Sequence, residues 1–452
     1  MYDIKIINGR VVDFETNNFI NVDIGIKEGK ILKIGSIKEN AKKIIDANNN
    51  IVSPGFIDIH MHEDMIGSLE NDDYDIANKM CLMGVTTAHG GNCGINIGDT
   101  KKFINFIEQN GAPINYVMSI GYNSLREKIG VVDNYREATN LEINKVSNLI
   151  KEYIDLGIVG LSFGIEYSPG ITFEEMKKAC KCIENKCLFI SAHFRCDCDK
   201  AIDSINEMID LSRKTKLPMQ ISHLGSCSAM GMMSESIDLI QKAIDEGLDI
   251  TVDCYPYDAF STFIGSAIFD DGCFERWNKD YNSILLTEGK YSGIRCDKET
   301  FEKVRREYPN MLAVAFVMNE DEVSECIRAP FVFVGSDGLY NKSQGHPRGA
   351  GTFPRLLGRF VRERKDLSLM EAIKKVTCMP AKRLGLINKG NLKKGMDADI
   401  VIFNENEILD KASFEHPTLS PLGINYVIVN GKIAVENNIQ VNKRAGKYIK
   451  RN

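Results

Sequence analysis

Hydrophobic residues follow two different periods along the chain and divide it into a central part and two ends. Near the start and near the end, short β-prone segments alternate with turn signals such as Asn8-Gly9 and Asn430-Gly431. Between them, strand-like apolar runs alternate with segments whose apolar residues recur at helical spacing. The ends therefore predict a small sheet, whereas the central part predicts a parallel α/β fold.

Eight strand-like runs indicate a barrel in the central part. They begin at Gly55, Val85, Ile114, Ile158, Cys187, Met219, Asp249 and Phe331, and most are followed by a helical segment. That count and order predict an α/β fold with a (β/α)8 TIM-like barrel over residues 53–390. The segment from about 263 to 312 interrupts the alternation, so we interpret it as an insertion over the barrel mouth, in the position of a lid. We expect residues 1–52 and 391–452 to pair into one small β-sandwich domain.

Composition and charge narrow the possible partners and location. The 452 residues are 43% hydrophobic and 26% charged, and the formal net charge of -6 gives no reason to expect a nucleic-acid partner. The start lacks the long apolar run of a signal peptide or a membrane span, which predicts a cytoplasmic protein without membrane association. The thirteen cysteines are scattered, without the spacing of a disulfide framework, so we expect reduced thiols.

The first predicted barrel strand carries the sequence Asp58-Ile59-His60-Met61-His62. In an extended strand alternate side chains share a face, so the two histidines point the same way. Two neutral imidazoles at that spacing suit a divalent metal ion. The dipeptide pattern alone fits two packing histidines equally well.

Other candidate ligands fall at the ends of other predicted strands. His193 and His223 end the fifth and sixth strands, and Asp337 ends the eighth. In a parallel barrel the carboxyl ends of the strands meet at one rim, so these side chains should converge with His60 and His62. Each histidine alone is better explained as a residue bonded to the backbone, but the four histidines and Asp337 together fit one or two zinc ions. Asp337 would then be the catalytic group that transfers a proton from an activated water to a leaving nitrogen.

These motifs resemble the amidohydrolase superfamily, metal-dependent hydrolases that combine such a barrel with a β-domain from both termini. Many members bridge two metals with a carboxylated lysine on the fourth strand, but the corresponding segment here, residues 158–163, contains no lysine. That difference argues against a site of the hydantoinase and dihydroorotase type.

A closer resemblance is to the D-aminoacylases, the N-acyl-D-amino-acid deacylases, whose Gly-Asn-Cys-Gly segment is similar to residues 91–94 here. In that family the cysteine is a zinc ligand in place of the lysine. Further matching segments lie at residues 53–58, 167–170, 192–195, 221–223, 253–257, 335–338 and 346–355. The resemblance implies a tightly held Zn²⁺ on Cys93, His193 and His223, and a second, weaker site on His60, His62 and Asp337.

The same resemblance implies that Tyr255, Ser261 and Arg348 bind the substrate carboxylate, and their hydroxyl and guanidinium donors suit that role. Two positions depart from the family. Gly225 stands where relatives have a lysine that also meets the carboxylate, and Tyr122 stands where they have a histidine after the third strand. The preferred substrate can therefore differ from that of the relatives.

We thus expect a zinc-dependent hydrolase of linear amides that removes the acyl group from a small-molecule N-acyl-D-amino acid. The preference for the D-isomer follows from the resemblance alone. One alternative is hydrolysis of another linear or cyclic amide, as in hydantoinases and dihydroorotases. Another is a barrel without catalytic activity that serves as a binding module.

Overall fold

A computed structural model describes residues 1–65 and 74–451, and a parallel sheet of eight strands lies at its centre. The sheet is an α/β barrel, as the alternating pattern predicts. Its strands, in chain order, are Phe56–Asp58, Val85–Gly90, Asn115–Gly121, Gly160–Gly164, Phe189–His193, Met219–Ile221, Ile250–Cys254 and Val332–Val334. We number them as the first to the eighth barrel strand.

Each barrel strand pairs in parallel with the next one in the chain. The barrel closes beyond the ends of the first and eighth strands. There Met61 and Gly338 form a parallel bridge, the Asp337 N–H donates to the His60 carbonyl at 2.7 Å, and the His62 N–H donates to the Gly338 carbonyl at 3.0 Å. Closure therefore places His60 and His62, which follow the first strand, beside Asp337, which follows the eighth.

Helices surround the barrel, and their ends carry the expected capping residues. The helix Asn140–Ile154 begins with a capping box in which Thr139 and Glu142 bond reciprocally, and it buries Ile143 and Val146 against the barrel. The α-helices are Asp75–Leu82, Thr100–Asn110, Tyr122–Lys128, Asn140–Ile154, Phe173–Cys180, Ala201–Thr215, Leu224–Ser228, Met233–Asp245, Cys273–Trp277, Lys298–Glu307, Glu320–Arg328, Arg348–Arg355, Leu369–Lys375 and Cys378–Arg383. A π-helix, Leu356–Glu363, continues Arg348–Arg355. Among the residues that the structure describes, no helix has the length and apolar character needed to cross a bilayer.

Strands from both termini pair outside the barrel. A sheet of four strands has the order Lys30–Gly35, Asp23–Lys27, Tyr2–Ile7, Ala41–Asp46. A second sheet has the order Ile439–Gln440, Lys432–Glu436, Ile424–Val429, Ile400–Phe403, Ile51–Pro54, Arg10–Asp13, Asn18–Asn21. The antiparallel pairing of Ile51–Pro54 with Ile400–Phe403 joins the two ends of the chain, as a β-domain built from both termini requires. The exact limits of that domain stay a prediction.

The segment between the seventh and eighth barrel strands folds as a small unit. Its three strands have the order Phe260–Phe263, Leu312–Ala315, Ile284–Leu286, and the helices Cys273–Trp277 and Lys298–Glu307 accompany them. This is the insertion that the sequence predicts. The exact limits of the insertion stay a prediction.

One detail of the first barrel strand differs from the prediction. The strand ends at Asp58, so both histidines lie in the irregular segment beyond it. The Asp58 carboxylate accepts the His60 N–H at 3.1 Å and the Ser336 N–H at 2.9 Å, and these bonds replace the ladder of a continuing strand. The two imidazoles still converge because closure of the barrel holds this segment in place.

Candidate metal centre

The carboxyl ends of five barrel strands bring six candidate ligands together at the barrel mouth. All six side chains are buried: His60, His62, Cys93, His193, His223 and Asp337. His193 is the last residue of its strand, whereas the other five lie in the segments that follow the first, second, sixth and eighth strands. The structure therefore collects the complete set that the sequence predicts, although metal binding itself stays a prediction.

The donor atoms form two groups, and Cys93 belongs to both. One group contains His60, His62, Cys93 and Asp337; the other contains Cys93, His193 and His223; within each group all donor atoms lie within 4.8 Å of one another. The Cys93 Sγ lies 3.3 Å from His60 Nε2 and 3.2 Å from His223 Nε2. The family resemblance assigns Cys93 to the second group alone, so its shared position is a finding of the structure.

Three of the six candidate ligands have left-handed backbone conformations that are uncommon for residues other than glycine. The φ angles are 52° for Cys93, 32° for His223 and 48° for Asp337. Such conformations cost on the order of 1–3 kcal/mol each and persist where the surrounding structure fixes them. Their concentration here is typical of a functional site.

Glu63 fixes the loop that carries Cys93. Its buried carboxylate accepts the Gly91 N–H at 2.9 Å, the Ile97 N–H at 2.9 Å and the Asn96 side-chain amide at 3.3 Å. These bonds satisfy backbone donors on both sides of Cys93. Sequence reasoning missed this residue, whose only signal is an acidic side chain directly after the His-x-His pair.

In three of the histidines, one ring nitrogen points away from the donor groups, and each of these nitrogens contacts a polar side chain. His60 Nδ1 lies 3.0 Å from Asp253 Oδ1, and His223 Nδ1 lies 2.8 Å from Ser226 Oγ. His193 Nε2 lies 2.8 Å from Glu166 Oε2. Metal-binding histidines usually have such partners, which fix the tautomer and the ring orientation. No period or spacing along the chain identifies Asp253, Ser226 or Glu166.

The electrostatic environment favours anionic donors. Burial alone would raise the pKa of the Cys93 thiol, but the His60 and His223 imidazoles lower it well below its ordinary value. Burial would likewise raise the pKa of Asp337, and the Arg348 guanidinium together with His62 lowers it well below the usual range. Cys93 and Asp337 are thus suited to act as thiolate and carboxylate.

The predicted carboxylate-binding residues lie beside this centre. Arg348 Nη2 is 2.9 Å from Asp337 Oδ2 and donates to the Ser261 carbonyl at 3.0 Å, and its guanidinium stacks 4.7 Å above the Tyr255 ring. The Arg348 Nε and Nη1 atoms and the Ser261 hydroxyl are buried without a hydrogen-bond partner. Unsatisfied buried donors are costly, which suggests that a polar ligand completes the site.

A narrow cavity of about 20 Å³ opens onto the second donor group. Its wall is mainly aromatic and acidic: Glu166, Tyr167, His193, Phe194, Asp197, His223, Ser226, Tyr255, Phe260, Ser261, Ile268 and Asp337. Phe260, Ser261 and Ile268 belong to the insertion, so this unit forms one side of the cavity.

The two positions that depart from the family differ in their relation to the site. Tyr122 is buried under the barrel rim, where its hydroxyl donates to Glu175 at 3.0 Å, and it does not line the cavity. A Cβ atom at Gly225 would lie 3.0 Å from the Cys254 sulfur and 3.1 Å from the Met318 methyl group. A longer side chain at Gly225 therefore requires Met318 to move.

Two of the three histidines without a predicted role, His89 and His346, are buried and have ordinary partners. His89 lies 2.8 Å from the Ile59 carbonyl and 2.7 Å from the Ser119 hydroxyl, and His346 Nε2 lies 3.0 Å from the Ala259 carbonyl. These contacts occupy ring nitrogens that a metal would need. Both histidines support neighbouring segments of the barrel mouth.

Comparison with known proteins agrees with this fold. A family model described as "Amidohydrolase family" matches residues 299–435. The D-aminoacylase of Alcaligenes xylosoxydans xylosoxydans is 28% identical, with 100% of this chain and 98% of that protein aligned. The N-acyl-D-glutamate deacylase of the same organism is 29% identical, with 99% and 96% aligned.

Solved structures give the same result. A D-aminoacylase variant in complex with copper chloride has a TM-score of 0.90 at 27% identity and covers 100% of both chains. The N-acyl-D-glutamate deacylase of Bordetella bronchiseptica, complexed with zinc and a phosphonate mimic of the tetrahedral intermediate, has a TM-score of 0.88 at 27% identity, with 99% of both chains covered. An L-hydantoinase from Arthrobacter aurescens has a TM-score of 0.66 at 16% identity and shares the fold.

Together, the barrel, the histidine and aspartate donors at its mouth and these likenesses indicate the class: the chain is similar to the amidohydrolases. Among them it is similar over its whole length to the D-aminoacylases, with cysteine in the donor set and no lysine on the fourth barrel strand.

Proposed function

We propose that this protein is a zinc-dependent hydrolase of linear amides that releases a carboxylate and a free D-amino acid from an N-acyl-D-amino acid. The observation that carries the proposal is the shared position of Cys93 between two donor groups, beside buried Arg348 and Ser261 donors that have no partner. The likeness to relatives named D-aminoacylase and N-acyl-D-glutamate deacylase supports the same substrate class.

The donor set fits zinc. Imidazole nitrogen, thiolate sulfur and carboxylate oxygen are its usual ligands, and a thiolate compensates the ion's positive charge as a carboxylated lysine would. Cys93, His193 and His223 would hold one ion tightly, and His60, His62 and Asp337 would hold a second one with lower affinity. When bound, zinc supplies Lewis-acid activation of water and of an amide carbonyl.

The chain's own groups account for proton transfer. Asp337 is a carboxylate whose oxygens lie 3.2 Å from His62 Nε2 and 2.9 Å from Arg348 Nη2. It accepts a proton from the attacking water and delivers it to the nitrogen that leaves as the amine. Arg348 keeps Asp337 ionised and oriented between these two steps.

Substrate orientation depends on a second set of groups. The free Nε and Nη1 donors of Arg348, with the hydroxyls of Ser261 and Tyr255, bind the α-carboxylate of the substrate. The acyl group then points toward the donor groups, and the amino-acid side chain lies against Phe260 and Ile268. Because the insertion provides these last residues, its position over the mouth also excludes water from the cavity.

A panel of amides tests the proposal. N-acetyl and N-formyl derivatives of D- and L-amino acids are compared with hydantoins and dihydroorotate, using the zinc-loaded protein. We expect hydrolysis of the N-acyl-D-amino acids. Hydrolysis confined to the cyclic amides would support the alternative of a hydantoinase-like enzyme, which the absence of lysine on the fourth barrel strand disfavours.

The second alternative is a barrel that binds ligands without catalysis. Metal analysis of the purified protein and the Asp337→Asn variant distinguish it from an enzyme. We expect bound zinc in the wild type and a loss of activity of at least about 100-fold in the variant. We further propose a cytoplasmic location, because thirteen free thiols are typical of a reducing compartment.

A further inference from the structure

Glu166 occupies a defined position between the fourth and fifth barrel strands. It lies two residues beyond Gly160–Gly164 and is a buried residue, 7% exposed, in the cavity wall. Its Oε2 atom lies 2.8 Å from His193 Nε2, while His193 Nδ1 lies 3.0 Å from His223 Nε2 inside the donor group. The imidazole of His193 thus has one nitrogen for a metal ion and the other for Glu166.

We infer that Glu166 is a positioning residue that fixes His193 in the tautomer and orientation needed to bind zinc through Nδ1. A carboxylate that accepts the Nε2 proton leaves the Nδ1 lone pair free for the metal and increases its basicity. This inference rests on the metal centre of the proposed function. Neither the resemblance nor the comparisons assign a role to Glu166.

The backbone holds Glu166 rigidly relative to its partner. The Glu166 N–H donates to the Phe194 carbonyl at 3.0 Å, and the Ile165 N–H donates to the His193 carbonyl at 3.3 Å. The segment that carries the carboxylate is therefore bonded to the strand end that carries the imidazole. The separation between the two side chains follows from this pairing and does not depend on a flexible loop.

Aromatic rings pack against the imidazole but provide no acceptor for its proton. The centroid of the His193 ring lies 4.3 Å from that of Phe194, in a stacked arrangement, and 4.6 Å from that of Tyr167. Packing of this kind sets the plane of the ring, whereas the choice of tautomer needs a hydrogen bond. In the described part of the chain, Glu166 provides that bond.

Glu166 is also the most selective place to test such a role. Asp253, which holds His60, also accepts the His223 N–H at 2.8 Å and the Gln220 amide at 2.9 Å, so its removal would disturb two barrel strands. Among the described residues, no second hydrogen-bond donor contacts the Glu166 carboxylate. A substitution at Glu166 therefore removes a hydrogen bond to His193 and no other hydrogen bond to its side chain in the described part of the chain.

The test compares Glu166→Leu and Glu166→Gln with the wild type, and uses Glu175→Gln as a matched control. Glu175 is a second buried glutamate of the barrel, bonded to Tyr122 and remote from the donor groups. The measurements are the zinc dissociation constant, by competition with a chelator, and the visible spectrum of the cobalt-substituted protein. Thermal unfolding shows that each variant is folded.

We expect Glu166→Leu to weaken zinc binding about 10- to 100-fold and to change the cobalt spectrum. Glu166→Gln keeps a neutral acceptor for the Nε2 proton, so its zinc affinity should be intermediate, and the control should match the wild type. Equal zinc affinity and equal spectra for all the folded Glu166 variants and the wild type would overturn the inference. If Glu166→Leu does not fold, the comparison of Glu166→Gln with the control decides.

These measurements need no substrate and so separate this inference from the proposed function. A wild-type protein that binds zinc in a Glu166-dependent manner but hydrolyses no N-acyl-D-amino acid would retain the inference and refute the proposed substrate. A wild-type protein that does not bind zinc would refute the inference itself.

Discussion

At the scale of single residues, Lys375 is a buried charge outside the candidate site. It is 4% exposed, and its ammonium donates to the Ala329 carbonyl at 2.6 Å and the Val332 carbonyl at 2.9 Å, at the start of the eighth barrel strand. Burial lowers the pKa of Lys375 to about 8.

This value predicts a pH dependence of stability. An unfolded lysine has a pKa of about 10.4, so between pH 8 and 10.4 the unfolded chain retains a proton that the folded chain has released. The free energy of unfolding should therefore rise with pH by up to about 1.4 kcal/mol per unit in this window, relative to Lys375→Met. Urea unfolding at pH 8, 9 and 10 measures the difference. Lys374→Met is the control. If the difference in unfolding free energy between the wild type and Lys375→Met stays constant with pH, the low pKa assigned to Lys375 is wrong.

At the scale of elements, loops beyond the strand ends position the ligands, and each loop has its own polar support. The loop after the second barrel strand is the clearest case, because Cys93 has a left-handed backbone and Glu63 accepts bonds from residues on both sides of it. Ser162 also bonds to this loop, at Gly91 and Gly94, and the Glu63 carboxylate is the one charged group among these supports.

Replacing that carboxylate should disturb both folding and the metal centre. We expect Glu63→Gln to lower the free energy of unfolding by about 1–3 kcal/mol and to weaken zinc binding. The reason is that a glutamine amide has one acceptor oxygen, whereas the carboxylate has two. Chemical unfolding and chelator competition measure the two effects. Glu127→Gln, on an exposed helix position nearby, should change neither. Unchanged zinc affinity in a destabilised Glu63→Gln protein would show that the loop does not position Cys93.

The insertion is a second element with a testable consequence. No lysine or arginine is among the described residues that line the cavity, and Arg348 beside it is paired with Asp337. A second carboxylate on the substrate would therefore be buried without a cation, which costs several kcal/mol.

We accordingly expect kcat/KM for N-acetyl-D-leucine to exceed that for N-acetyl-D-glutamate by at least about 100-fold. Ile268→Lys should reduce this ratio, since it adds a cation to the insertion's side of the cavity. Ile294→Lys, at a partly exposed position of the same insertion, serves as the control. Equal rates on the two substrates in the wild type would contradict this account of the cavity wall.

At the scale of the whole molecule, a buried ionic cluster joins the barrel to the terminal sheets. Lys389 forms ion pairs with Asp397, at 3.0 Å, and with Asp399. Asp399 also accepts the Asn430 N–H at 2.6 Å, and its carbonyl accepts the Gly55 N–H at 2.8 Å, directly before the first barrel strand. The cluster thus links the C-terminal part of the chain to the strand that leads to His60.

Removing its cation should be strongly destabilising. Lys389→Met leaves two carboxylates without their buried partner, for which we expect a loss of about 3–5 kcal/mol in the free energy of unfolding. Lys393→Met removes an exposed pair with Glu15 and should cost at most about 1 kcal/mol. Urea unfolding of the two variants measures both values. Similar midpoints would show that the cluster does not stabilise the molecule.

Much of this fold could be predicted from the sequence because its signals are local. The period of apolar residues identified all eight barrel strands, with starts within two residues of those observed. The ligands at strand ends could be predicted because a parallel barrel brings those ends to one rim.

What could not be predicted depends on distances between remote residues. The shared position of Cys93 results from the exact path of one loop, and the partners Glu166 and Asp253 are ordinary acidic residues until the fold places them beside His193 and His60. The early end of the first strand has the same cause, since Asp58 bonds to Ser336 across the closing seam. No pattern along the chain encodes these contacts.

X-ray absorption at the zinc edge tests the central claim most directly, namely that Cys93 and the histidines bind the metal. The account predicts a sulfur ligand at about 2.3 Å together with nitrogen or oxygen ligands at about 2.0–2.1 Å, and loss of the sulfur signal in Cys93→Ser but not in Cys81→Ser, which changes a buried thiol elsewhere. Zinc bound through nitrogen and oxygen alone in the wild type would contradict it.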